Sequence, residues 1–113
     1  MAIFYKNQGY DLTTTNLTTV LNINTSSVAI IKEIAVTNDD NNAHEVSYYF
    51  YDYSASTSYK FFHTNIPADS HENAVHNALV LEEGDYLQFQ ADSENKISGQ
   101  ISYALLTRSG ENG

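Results

Sequence analysis

From Leu17 to Leu106 the chain is written in short runs in which apolar and polar side chains alternate, each closed by a cluster of Asn, Asp, Ser or Gly. Period-two alternation places one set of side chains on each face of a pleated strand, so the pattern predicts strands that turn one face to a core. Strands are expected over 17–23, 28–37, 45–53, 59–66, 78–81, 86–91 and 97–106. In the second of these, Ile30, Ile34 and Val36 share one face and Glu33 and Ala35 the other. The third sets Val46, Tyr48 and Phe50 against Ser47, Tyr49, Tyr51 and Tyr53. Both of its faces are apolar enough to be covered, which predicts a central strand. In 59–66 the alternation puts His63 with Tyr59 and Phe61 on a core-facing side, and Pro67, which brings no N–H to a ladder, ends the run. The last strand turns Ile97, Ile101, Tyr103 and Leu105 inward, with Gly99 where a large side chain would not fit.

Residues 68–78, "ADSHENAVHNA", are the least strand-like piece and are read as a loop, with Asp69 or Ser70 able to cap one helical turn. No helical pattern is long enough to cover a sheet. About seven to eight antiparallel strands must then pack on one another, and the expected fold is an all-β antiparallel sandwich of jelly-roll or immunoglobulin-like size, spanning 17–107. Ahead of it, 1–16 forms an N-terminal arm or an edge strand. Ile3, Phe4, Tyr5 and Tyr10 are too apolar for a free tail, and they suit either an edge strand of the same domain or an arm packed on a neighbouring subunit. Residues 108–113 read as a polar, flexible tail.

Composition removes several function classes. The 113 residues include no cysteine, so disulfides and thiolate metal sites are not available. The formal net charge is −9, and the five Lys and Arg stand singly, so no basic stripe could neutralise a row of phosphates. Direct nucleic-acid binding is not expected. No apolar run approaches a membrane span, and the first residues lack the apolar core of a signal peptide, so a chain made soluble in the cytoplasm is expected.

Candidate chemistry is sparse. "HENAVH" resembles the zinc-protease motif with one residue too many: His71 and His76 are five apart. On a helix, at about 100° per residue, they would point roughly 140° away from each other. "NDDNN" at 38–42 lacks the ligand spacing of an EF-hand loop. Glu82, Glu83 and Asp85 surround Gly84 where alternation breaks, as a tight turn would require, with carboxylates accepting main-chain N–H bonds and Gly84 supplying a positive φ. Turn-making is favoured over an acid–base pair, since nothing nearby supplies a partner. No catalytic residue, metal or cofactor is expected. The tyrosines of 48–59 are the feature with binding potential: Tyr49, Tyr51 and Tyr53, on one face, suit a protein interface or a sugar-stacking platform.

The succession "IIKEIAVTNDD", "EVSYYFYD", "LVLEEGDYLQFQA", a polar turn and "ISGQISYALL" resembles small virion structural proteins of tailed bacteriophages, over about residues 17–106. Where those proteins usually have a Pro-Gly turn before the first long strand, this chain has "NINTSS". The resemblance implies a structural, non-enzymatic role, first of all as a capsid decoration or cement protein bound to major capsid subunits. It also implies a homo-oligomer, with a trimer favoured, whose contacts use the N-terminal segment and one tyrosine face. The acidic balance would be repelled by packaged DNA, which favours the outer surface of head or tail. A tail or baseplate component and a carbohydrate-binding, receptor-recognising module are the alternatives.

Overall fold

The computed structural model describes residues 2–75 and 77–107. Among these residues the chain forms nine strands and no helix: β1 (Ala2–Leu12), β2 (Thr18–Asn22), β3 (Ser27–Asn38), β4 (His44–Asp52), β5 (Thr57–Ile66), β6 (Ser70–Asn73), β7 (Leu79–Leu81), β8 (Tyr86–Ala91) and β9 (Ile97–Thr107). One antiparallel sheet has the order β1-β9-β3-β6, with β7 also on β3, and the other the order β2-β8-β4-β5. β6 pairs with Ala35–Asn38 and β7 with Ala29–Ile31, so the two are halves of one interrupted strand along the same edge of β3. With those halves joined, eight strands divide four and four between two sheets in the order of a double-sheet jelly roll. The expected sandwich is therefore the observed fold, and β4 is a central strand between β8 and β5.

The core is the meeting of two inner faces. Leu12, Ile34, Val36, Ile97 and Ile101 come from one sheet, and Val46, Tyr48, Ile66, Leu87 and Phe89 from the other. Phe89 makes T-shaped contacts with two rings, Tyr48 at 5.0 Å in its own sheet and Tyr10 at 5.2 Å from across the sandwich. Tyr10 lies opposite Gly99 in the β1–β9 register, and its side chain crosses β9 there to donate a 2.8 Å hydrogen bond to the carbonyl of Ala35 on β3. The glycine makes that crossing possible: a Cβ at 99 would stand 1.8 Å from the Ala35 oxygen and 2.7 Å from the Tyr10 hydroxyl. Burial pushes the Tyr10 phenol far above its ordinary value and raises Tyr48 to about 12.

Four expectations are corrected, three of them by a long-range pairing. A register shift between Ile31 and Glu33 leaves Lys32 as an extra residue, which reverses the facing of β3 partway along. Ala29 and Ile31 point inward before it, Ile34 and Val36 after it, and Ile30 lies on the face opposite to its expected partners. A second shift sets Phe62 opposite Tyr48 and Lys60 opposite Tyr49, which leaves Phe61 as the extra residue. His63 is thereby turned outward, opposite Ser47, rather than into the core. Residues Ser70–Asn73, expected in a loop, form β6 because the edge of β3 offers them a ladder. Finally, Asp69 caps no helical turn but adopts a left-handed conformation, φ 52°, just before β6.

Candidate functional site

β1 pairs with β9 from Ala2 to Leu12, and among the described residues its other edge is unpaired. Such an edge is a template for another strand unless charge or bulges blunt it. Residues 2–10 carry one charge, Lys6, in a chain with fourteen acids. Ile3, Phe4 and Tyr5 are 56%, 49% and 86% exposed. The registers extend this apolar end across the outer face of the sheet. Ile3, Leu106 and Val28 form one row, and Tyr5, Ala104, Ile30 and Val80 form the next. Ala104 is buried yet stands outside the core cluster, because its neighbours on this outer face cover it. The result is an apolar strip across four strands. Tyr10, expected with this set, is half-buried and instead packs against the core.

The candidate tyrosines Tyr49, Tyr51 and Tyr53 have three different surroundings. Tyr49 has the Lys60 ammonium 5.6 Å from its ring centroid. Tyr51 stacks on Tyr86 of β8, with centroids 4.6 Å apart and planes 9° from parallel. Tyr53 lies just beyond the end of β4, 56% exposed, and packs against Gly84. Tyr86 was not anticipated, although its place at the start of an alternating run fixes its outward facing.

The turn that holds Tyr53 works through Asp85. This buried carboxylate accepts the Tyr53 N–H on Oδ1 at 2.9 Å and the Glu82 N–H on Oδ2 at 2.8 Å. Gly84 has φ 84° and donates its N–H to the Asn24 carbonyl, and the Ile23 N–H reaches the carbonyl of Asp85. Glu82 is exposed and Glu83 half-buried. Carboxylate oxygens of Asp52, Glu82 and Asp85 lie within 4.8 Å of one another. Both Asp85 oxygens are already committed to N–H donors, so the trio is explained by the turn.

Two polar clusters were not foreseen. His44, mostly covered, stands between Asp40 (Nε2 to Oδ2, 2.6 Å) and Asp92 (Nδ1 to Oδ1, 2.7 Å), with Lys96 3.9 Å from Asp40. The hydrogen bond to Asp40, supported by Asp92, raises the His44 pKa, and the same bond to His44 lowers that of Asp40. Asp92 is 48 positions from His44, a separation over which local pattern carries no signal. On the outer face of β4 and β5, Ser47 Oγ is 3.0 Å from His63 Nδ1, and His63 Nε2 is 2.9 Å from Glu45 Oε1. A serine nucleophile would also need N–H donors free to receive an oxyanion. Ser47 sits in a strand paired on both sides, where main-chain N–H groups serve the ladders. His63 and Glu45 are open to water. The arrangement is a hydrogen-bonded relay of Ser47, His63 and Glu45 on the outer face of the sheet. Of the HENAVH pair, His71 is exposed on β6, and His76 lies outside the described residues.

No protein-family profile matches the sequence, and no curated protein sequence is similar enough to count as a relative. Solved structures do match in fold. A chain from the acidic stable capsid of Helicobacter pylori bacteriophage KHP30 superposes with TM-score 0.57 at 8% identity, over 93% of this chain and 87% of that one. A chain from the disulfide-linked pili that form Bacillus endospore appendages superposes with TM-score 0.53 at 10% identity, over 91% of this chain and 85% of that one. At such identities the likeness is one of fold. Since this chain has no cysteine, a disulfide linkage is not open to it.

Proposed function

We propose that the protein is a non-enzymatic structural component of a bacteriophage virion, placed on the outside of the head as a decoration or cement protein. The observation that carries this reading is the apolar strip of Ile3, Tyr5, Val28, Ile30, Val80 and Leu106 beside the unpaired edge of β1. A protein at −9 has charges enough to cover its surface, yet this end is left apolar and residues 2–10 hold no acid. Large uncovered apolar patches mark contact surfaces. The unpaired strand edge adds a way to align a neighbour by main-chain hydrogen bonds. Likeness in fold to a phage capsid chain and to a pilus chain supports an assembly role by analogy. The partner is a major capsid subunit, with sister copies joined in a trimer, and net acidity favours the side away from DNA.

Removing 1–12 would take Tyr10 and Leu12 out of the core, so point variants are the sound test. Tyr5→Lys with Val80→Lys puts two charges on the strip and leaves the core intact. The wild-type protein is expected to show a trimer mass by light scattering, and the double variant a monomer mass with an unchanged circular-dichroism melt. Immunogold labelling of particles is expected on heads. Gold confined to tails would replace the head assignment with a tail or baseplate one, and absence of the protein from purified particles would overturn the virion reading.

A further inference from the structure

At the same end of the sandwich as Val28 and Leu106, but beside the outer face of the other sheet, residues 22–25, Tyr51, Tyr53, Gly84 and Tyr86 line an open groove of about 510 Å³. We infer that this groove binds a neutral carbohydrate, with Tyr53 and the Tyr51–Tyr86 pair as its stacking wall and Asn22, beside Tyr86 in the β2–β8 register, and Asn24 as its hydrogen-bonding groups. This site is independent of the apolar strip and of the virion reading.

The first argument is preorganisation. An exposed tyrosine usually loses rotamer freedom when it binds, which weakens association. Tyr53 has lost much of that freedom already. Its main chain is held by the Asp85 carboxylate, and its ring packs so closely on residue 84 that a Cβ there would lie 2.6 Å from ring Cγ. Gly84 therefore serves two purposes, the positive φ of the turn and a seat for the ring. More than half of Tyr53 still faces solvent. Tyr51 and Tyr86 brace each other by stacking, so that wall is held at two points.

The 22–25 segment beside it is also tied down. The Asn24 side chain accepts the Ser26 N–H at 2.9 Å and the Ser26 hydroxyl at 3.0 Å, and its carbonyl accepts the N–H of Gly84. The Ile23 N–H bonds to the Asp85 carbonyl. Tyr53 and the 22–25 segment thus both hang on one turn, 82–85, and the groove is formed before any ligand arrives.

The second argument is chemical. Every residue lining the groove is uncharged, in a protein at −9. Aromatic rings meet the C–H faces of a sugar, while carboxamides and hydroxyls meet its hydroxyl groups, and such a mixture is what a saccharide recognises. Asp52, Glu82 and Glu83 lie just outside the lining, so an anionic ligand would be repelled. Tyr49, with Lys60 over its ring, is not part of the lining.

The test is a glycan array of neutral, sialylated and sulfated oligosaccharides probed with the fluorescently labelled full chain, followed by calorimetric titration of the best neutral hit. Tyr53→Ala and Tyr86→Ala are each expected to weaken that hit by about tenfold or more, the equivalent of losing about 1.4 kcal/mol. Tyr49→Ala is expected to leave it unchanged, with thermal melts confirming that all three variants fold. Absence of any neutral hit, preference for sialylated or sulfated glycans, or equal affinity in the Tyr53 and Tyr86 variants would each overturn the inference. Binding of a proline-rich peptide in place of every saccharide, lost in the same two variants, would overturn it in favour of a peptide groove.

Discussion

Replacing Gly99 by alanine adds one methyl group at the most crowded point of the sandwich. The added Cβ would sit 1.8 Å from the Ala35 carbonyl oxygen, a main-chain atom that no rotamer change can move, and 2.7 Å from the Tyr10 hydroxyl. To reach an ordinary contact of about 3.4 Å or more, β9 must withdraw from β3 locally or Tyr10 must leave its place. Overpacking of this kind costs about 1–3 kcal/mol, and loss of the Tyr10–Ala35 hydrogen bond adds about 1 kcal/mol. The expected destabilisation is about 3 kcal/mol, a large share of the roughly 5–15 kcal/mol typical of a domain. At about 4 °C per kcal/mol the melting temperature should fall by roughly 12 °C. Urea unfolding followed by tyrosine fluorescence measures it, since the chain has no tryptophan. The companion variant Tyr10→Phe removes the hydroxyl, with its own cost of about 1 kcal/mol, and also removes one of the two clashes. The double variant should therefore be less destabilised than the sum of the singles. A Gly99→Ala loss below about 1 kcal/mol, or strict additivity with Tyr10→Phe, would refute the crossing of Tyr10 over Gly99 as described.

Two further outcomes follow from the polar contacts. The raised pKa of His44 means that its ion pairs stabilise fully below the unfolded value of 6.5 and fade as pH climbs through the folded value, while the lowered pKa of Asp40 stabilises above 3.8 and is lost as pH falls through its folded value. Thermal melts should therefore show a His44-dependent gain between about pH 4 and 6.5 that declines as pH rises beyond 6.5, absent in His44→Gln; identical pH profiles for the two proteins would refute it. Asp85→Asn replaces one acceptor oxygen by a donor facing a main-chain N–H, so either the Tyr53 or the Glu82 N–H loses its partner. The expected loss is about 3 kcal/mol in urea unfolding, and a loss under about 0.5 kcal/mol would show that the turn does not depend on the carboxylate.

The sequence was readable where one strand decides its own facing. Val46, Tyr48 and Phe50 against Ser47, Tyr49 and Tyr51 is such a case, and so is the EGD turn, whose glycine and acids have local uses. It was unreadable where a partner strand intervened. Nothing near Lys32 or Phe61 announces an extra residue, because a bulge is a mismatch between two strands, and the facing of Ile30 and His63 went with it. The same limit hid the groove, whose walls are 22–25 and the tyrosines at 51, 53 and 86.

Alternation, turn residues and the absence of helical pattern determined by themselves that this chain would be a small acidic sandwich with short antiparallel strands, since those signals act within a few residues. Pairing across the chain decided the rest. It closed the strands in jelly-roll order, drew Tyr10 from the surface set into the core over Gly99, left the outer strip of Ile3, Tyr5 and Val80 uncovered, and brought His44 between two aspartates. Those outcomes depend on which strand lies beside which, and a contact energy shared between distant segments leaves no periodicity in either one.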